Sequence, residues 1–254
     1  MLRSIGYVVT FFLFQALMAN AQQSPSPDVT RLYVIGDSTA ASYTPDRAPL
    51  TGWAQDLQEY FDATKLIVED KARSGRSSKS FIEEGAWDSV RDGLKKGDYV
   101  FIQFGHNDAT KADPKRFTEP ETTYREFMKR YVDDARAKGA IPVLVTSINR
   151  NQWADDSRTL KEGLGEYPAV TRKLAEDMRV TLIDLEMKTR ELFQSLGPEK
   201  VKGLFLYLKK GESPNYPEGK EDSTHLREAG AREVAKLAVA EIRKQNLPIA
   251  GYLK

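Results

Sequence analysis

The chain has 254 residues, of which 40% are hydrophobic and 30% charged, with 38 basic and 37 acidic side chains, two histidines and no cysteine. Those proportions fit one soluble globular domain. Balanced charge excludes a global attraction to nucleic acid or to an anionic membrane, and the lack of cysteine excludes disulfides and lipoprotein acylation.

Arg3 precedes an apolar run from Ile5 to Met18, which is interrupted by Gly6, Thr10 and Gln15 and followed by the small-x-small pattern Ala19-Asn20-Ala21. Residues 1–21 are therefore predicted to be a signal peptide cleaved before Gln22, with export to the periplasm or the outside of the cell. A membrane anchor is the competing reading, but the run is short for a bilayer and no basic stop-transfer residues follow it. Without this leader the chain carries 37 basic and 37 acidic side chains, so no stable membrane association is expected after cleavage. Residues 22–29 read as a flexible lead-in containing two Ser-Pro pairs, and residues 30–254 as one domain.

The domain opens on the apolar run Leu32-Tyr33-Val34-Ile35, stopped abruptly by Gly36-Asp37-Ser38-Thr39. Trp53, Leu57, Tyr60 and Phe61 recur at helical spacing and predict a helix from about Gly52 to Phe61. Leu66-Ile67-Val68 predicts a second strand, followed by the basic stretch Lys71–Lys79 and a helix through Phe81, Ile82 and Val90. A third strand, Tyr99–Phe104, ends in Gly105-His106-Asn107-Asp108. Further helices are predicted over Tyr124–Lys138, Tyr167–Met178 and Leu226–Lys244, and further strands over Ile141–Val145 and Val180–Leu185. Gly203–Thr224, with its prolines, glycines and charges, reads as a long surface loop. Five apolar strands alternating with helices predict an α/β fold built on a five-stranded parallel sheet with helices on both faces. Right-handed crossovers then put every strand's carboxyl end on one edge of the sheet, and Ser38, Gly75 and Asn107 all fall just past such ends.

Two histidines make the search for a general base short. His225 lies three residues after Asp222, a spacing at which a carboxylate can hydrogen-bond the ring and favour imidazolium as it forms. With His225 directed at Ser38, the set is a nucleophile, a base and an orienting acid. A helix cap accounts equally well for Asp222, a satisfied polar residue for His225, and a cap for Asp37 or Ser38. Ester attack also needs donors where negative charge develops, and the backbone N–H groups of Ser38 and Gly75 and the side-chain amide of Asn107 are the candidates. A plain turn glycine and a self-bonded loop amide are the alternatives for the last two.

Gly36-Asp37-Ser38, Gly75, Gly105-His106-Asn107 and Asp222-x-x-His225 match in order the four blocks of the SGNH (GDSL-type) hydrolases. Within that superfamily the chain resembles the rhamnogalacturonan acetylesterases, through Gly36-Asp37-Ser38-Thr39, Gly75–Phe81, Gly105–Asp108 and Asp222–Leu226. The resemblance implies a flavodoxin-like three-layer α/β/α sandwich and neither metal nor organic cofactor. It implies Ser38 as nucleophile, His225 as base and Asp222 as orienter, with Ser38, Gly75 and Asn107 forming the oxyanion hole. An acetylated acidic polysaccharide is then the expected partner.

His106 has no carboxylate three residues upstream and is assigned to orienting its loop or lining the pocket. Lys71, Arg73, Arg76 and Lys79 form a local cationic cluster; a solvated basic loop accounts for at least two, and Arg76 is the candidate to meet substrate carboxylates. Arg150 and Trp153, beyond the fourth strand, are further candidate contacts, the indole either stacking on a sugar ring or packing inward. Three rival readings remain. A lipase or lysophospholipase using the same residues needs an apolar acyl channel, whereas these loops are polar. A catalytically inactive sugar-binding protein on the same fold needs the residues without their alignment. A nucleotide-binding domain is disfavoured because neither G-x-G-x-x-G nor G-K-[ST] follows any strand.

Overall fold

Strands β1 (Thr30–Gly36) and β3 (Tyr99–Gln103) form the centre of the computed structural model, which describes residues 29–156 and 158–254. The expected signal peptide, and the lead-in up to residue 28, lie outside the described residues. Strands β2 (Leu66–Asp70), β4 (Ile141–Val145) and β5 (Thr181–Ile183) complete a parallel sheet in the order β2-β1-β3-β4-β5. The central strands are apolar along their length because a parallel sheet is covered on both faces. Alternate residues of one strand therefore feed two different cores. Leu32, Val34, Tyr99 and Phe101 enter one, with Phe193, Val234, Ala238 and Ile242 of helices α5 (Leu185–Leu196) and α7 (Glu228–Lys244). Tyr33, Ile35, Val100 and Ile102 enter the other, with Phe81, Trp87, Tyr131 and Leu174. Those four side chains come from helices α1 (Ser78–Glu83), α2 (Ala86–Gly93), α3 (Arg125–Ala137) and α4 (Tyr167–Met178). The result is a three-layer α/β/α sandwich.

Four expectations are corrected. The stretch Gly52–Phe61 is a series of turns ending in a short 3-10 helix, Leu57–Tyr60. Its apolar residues are buried as their spacing requires, but its backbone is claimed elsewhere: Trp53 N–H donates to Thr39 O (2.9 Å) and Ala54 N–H to Ala40 O (3.2 Å). The helix expected through Phe81 and Val90 is two helices, broken at Gly85, whose φ of +75° is left-handed. Gly203–Thr224 is a hairpin rather than an irregular loop. Its strands β6 (Phe205–Leu208) and β7 (Lys220–Leu226) pair antiparallel and follow a short helix α6 (Pro198–Lys202). The fifth strand is also shorter than expected, because Asp184 accepts from Met187 N–H and starts α5.

β1 connects to β2 on one side and β3 pairs on its other, so the chain reverses direction across the sheet between β1 and β3. The crevice beyond the carboxyl ends of such a pair is where open α/β sheets place ligands.

Candidate active site

Ser38 occupies the first turn after β1. Asp37 Oδ1 accepts from the backbone N–H (2.9 Å) and hydroxyl (2.8 Å) of Thr39, a side-chain turn that folds the chain back sharply. Behind it, Gln103 at the end of β3 donates through Nε2 to Thr39 Oγ1 (2.9 Å) and accepts from Trp53 Nε1 (2.6 Å). Tyr43 Oη donates to the Ser38 carbonyl at 2.8 Å. The turn is thus held from three directions by buried or half-buried groups.

His225 comes from β7, and an irregularity in that strand presents it. Leu206 is opposite Asp222 while the next residue back, Phe205, is opposite Leu226, so residues 223–225 bulge out of the ladder. The bulge is fixed by Asn151 N–H donating to Ser223 O at 2.7 Å. His225 Nε2 lies 3.0 Å from Ser38 Oγ, and its Nδ1 lies 2.8 Å from Asp222 Oδ2. Asp222 Oδ1 accepts from the backbone N–H groups of Thr224 (2.9 Å) and His225 (3.0 Å). Burial opposes ionisation of Asp222, but hydrogen bonds from the His225 ring, the His225 and Thr224 backbones and the His225 charge together hold its carboxyl well below the usual range. A carboxylate that stays ionised fixes the ring with Nδ1 protonated, leaving Nε2 to accept a proton from the Ser38 hydroxyl.

The backbone N–H groups of Ser38 and Gly75 donate to nothing among the described residues. Gly75 has a φ of +79°, and a Cβ there would meet no atom within 4 Å, so the backbone is open to an approaching molecule. Asn107 Oδ1 accepts from Arg116 Nη1 (3.1 Å), which fixes the amide, and Nδ2 donates one of its two hydrogens to Arg76 O (2.9 Å).

The remaining candidates are placed differently. His106 is 5% exposed and accepts from Arg150 Nε through Nδ1 (3.3 Å); burial first, then the Arg150 and His225 charges, push it down to about 3. It is neutral near pH 7 and makes no hydrogen bond to Ser38. Arg150 is half-buried and forms no ion pair among the described residues. Trp153 packs against the core with its indole N–H on Asn151 Oδ1 (2.6 Å). Arg76, the candidate contact for substrate carboxylates, pairs through its guanidinium with Glu84 at 2.8 Å. Lys71 likewise pairs with Glu69 (2.9 Å), and Lys79 donates to Pro114 O (3.1 Å). Gln103, Tyr43 and Asp108 escape the sequence reading. Asp108 is fully buried and accepts from Ser78 Oγ (2.5 Å) and Thr118 Oγ1 (2.9 Å), tying the third strand's loop to the start of α1. A signal for Gln103 exists: it is the one amide inside an otherwise apolar strand.

Residues 34–233 match the GDSL-like lipase/acylhydrolase family. The chain is 40% identical to the rhamnogalacturonan acetylesterase RhgT of Bacillus subtilis (strain 168), over 88% of this chain and 94% of that protein. The crystal structure of YxiM from Bacillus subtilis superposes with a TM-score of 0.73 at 30% identity, covering 86% of this chain and 57% of that one. Axe2, an acetylxylan esterase from Geobacillus stearothermophilus, shares the fold, with a TM-score of 0.57 at 16% identity over 84% of this chain and 94% of its own.

Proposed function

The chain belongs to the GDSL-like lipase/acylhydrolase family, which makes it a carboxylic ester hydrolase, and we propose that it removes acetyl groups from rhamnogalacturonan-type pectic polysaccharide through an acetyl-Ser38 intermediate. The observation that carries the mechanism is the single imidazole of His225, 3.0 Å from the Ser38 hydroxyl and 2.8 Å from the Asp222 carboxylate. The substrate class rests on the 40% identity to RhgT.

In this reading Ser38 Oγ attacks the acetyl carbonyl while His225 Nε2 takes its proton. Asp222 stabilises the imidazolium so formed. The negative oxygen of the tetrahedral intermediate is met by the N–H groups of Ser38 and Gly75 and the second amide hydrogen of Asn107; loss of one such donor typically lowers turnover by ~10²–10³. The intermediate collapses as His225 returns the proton to the sugar oxygen, which leaves as a hydroxyl. Water, deprotonated by the same ring, then attacks the acetyl carbon, and the ring passes that proton to Ser38 Oγ as acetate is released.

Acetate release from a panel of acetylated pectins, xylans and mannans tests the substrate class; equal rates across the panel would remove the pectic assignment. Acetate against octanoate esters of one leaving group separates this reading from a lipase, which would favour the longer acyl chain. Labelling of Ser38 by a fluorophosphonate, expected here, would fail for an inactive sugar-binding protein. Export is part of the proposal, and the N-terminus of the cell-free protein, read by mass spectrometry, is expected at Gln22.

A further inference from the structure

A cavity of about 160 Å³ adjoins the His225–Asp222 pair, and two cations, Arg47 and Lys220, lie on its wall with the rings of Tyr43 and Tyr216. Neither cation forms an ion pair with a carboxylate among the described residues. The one acidic side chain lining the cavity is Asp222, already bonded to His225. Of the other basic residues near the site, Lys71 is engaged by Glu69 and Arg76 by Glu84, whereas Arg73 and Arg150 form no ion pair among the described residues and neither lines this cavity. Two like charges facing one cavity repel each other, and an anion placed between them relieves that cost.

The wall is built before any ligand arrives. Tyr216 Oη donates to Arg47 O (3.2 Å), and Asn215 Nδ2 donates to Pro45 O (3.0 Å) and Ala48 O (2.9 Å), so the tip of the β6–β7 hairpin is stitched to residues 45–48. The Arg47 guanidinium lies 5.9 Å from the centre of the Tyr43 ring, while the Tyr43 hydroxyl is held by the Ser38 carbonyl. A cation, an aromatic face and the nucleophile's own turn therefore form one connected unit. Ser74, next to Gly75, also lines the cavity.

We infer that this cavity is a carboxylate subsite, in which Arg47 and Lys220 hold the uronate of a sugar neighbouring the acetylated one, with Tyr43 and Tyr216 against its ring. The inference rests on the proposed action on an acidic polysaccharide and names what selects it: a charge beside the base rather than the basic stretch Lys71–Lys79. Lys220 opens the strand that also carries Asp222 and His225, so substrate charge is read at the same element that performs proton transfer.

The test compares acetylated rhamnogalacturonan oligosaccharides with the same material after methyl esterification of its uronates. Wild type is expected to favour the free acid in kcat/KM. Arg47→Gln and Lys220→Gln are each expected to shrink that preference about fivefold, through KM, the ratio for a contact worth roughly 1 kcal/mol. Arg47→Lys and Lys220→Arg should restore part of it. An unchanged preference in the double variant, or no preference in wild type, would overturn the subsite. If wild type releases no acetate from either material, the proposed function fails, and binding still decides the cavity. Ser38→Ala protein titrated with an unacetylated galacturonate oligomer should lose affinity when both cations are replaced; equal affinity would overturn the subsite.

Discussion

Ser38 Oγ and His225 Nε2 lie 3.0 Å apart although 187 positions separate them in the chain. The two ends of the polypeptide meet because β1 stops in a side-chain turn and β7 bulges where it passes that turn. His225→Ala is therefore expected to lower kcat by about 10⁴ or more, and Asp222→Asn to approach that loss by releasing the ring's tautomer. His106→Ala, which touches Arg150 and not Ser38, should leave measurable turnover. Initial rates on a small acetate ester check this, and the reverse ranking of the two histidines would reassign the base.

Gly52 lets residues 51–54 run directly behind the nucleophile's turn. A Cβ at this position would lie 2.2 Å from Ala41 O and 2.4 Å from the Ala40 carbonyl carbon, both backbone atoms with no flexible end to swing aside. Gly52→Ala must push the turn and its neighbour apart, at a cost of about 1–3 kcal/mol or more. Lower stability in urea together with a lower kcat is the expected result. A fully active variant would mean that the turn tolerates displacement.

Much of this arrangement is legible in the letters because a doubly covered parallel strand is a continuous apolar run with an abrupt stop. Ser38 and Asn107 can be placed at one edge on that ground alone. The hairpin that carries His225 cannot, since Lys220–Thr224 is polar and its partner, Phe205–Leu208, lies across a charged loop. Residues 52–61 mislead for a different reason: their apolar spacing is helical, yet the N–H groups of Trp53 and Ala54 bond the nucleophile's turn and those that follow close three-residue turns. The basic stretch Lys71–Lys79 is legible as charge, but its partners are not. Glu69 is near in sequence, but whether a carboxylate faces solvent or a neighbouring cation is settled only by folding.

Acid should expose the burial of His106. Its folded form titrates near about 3, while an ordinary imidazole takes up its proton near 6.5. Between those values the unfolded chain binds a proton that the folded chain refuses, so this group's contribution is present above pH 6.5 and is lost as pH falls, by about 3 kcal/mol at pH 4. Asp108 acts in the opposite sense. Burial raises it to about 6, so its contribution is full below the ordinary carboxylate range and is lost as pH rises through 6. In wild type the two partly offset each other. His106→Gln removes the first and keeps the second, so urea midpoints at pH 7 and pH 4.5 should show the variant losing less on acidification than wild type. Parallel losses would place the acid sensitivity elsewhere.

Gln103 is the residue through which the sheet itself positions the nucleophile. It is fully buried, and its amide joins three partners: Trp53 Nε1, Thr39 Oγ1 and, at 3.4 Å, Asp37 Oδ1. Asp37 is itself buried, and burial raises its pKa against the opposing pull of the Thr39 hydrogen bonds. Replacing Gln103 with Leu conserves much of the volume but leaves the indole N–H without an acceptor, at a cost of about 1–3 kcal/mol for an unpaired buried donor. Thr39 Oγ1 keeps its bond to Asp37, so the turn survives while its anchor to β3 is lost. Gln103→Leu is thus expected to fold, to melt earlier, and to lose kcat on small and polymeric acetates alike while KM changes little. Gln103→Glu, which retains an acceptor for Trp53 but places a second carboxylate beside Asp37, should be the more damaging of the two to turnover. If Gln103→Leu instead matches wild type in kcat, the turn holds Ser38 without help from the sheet.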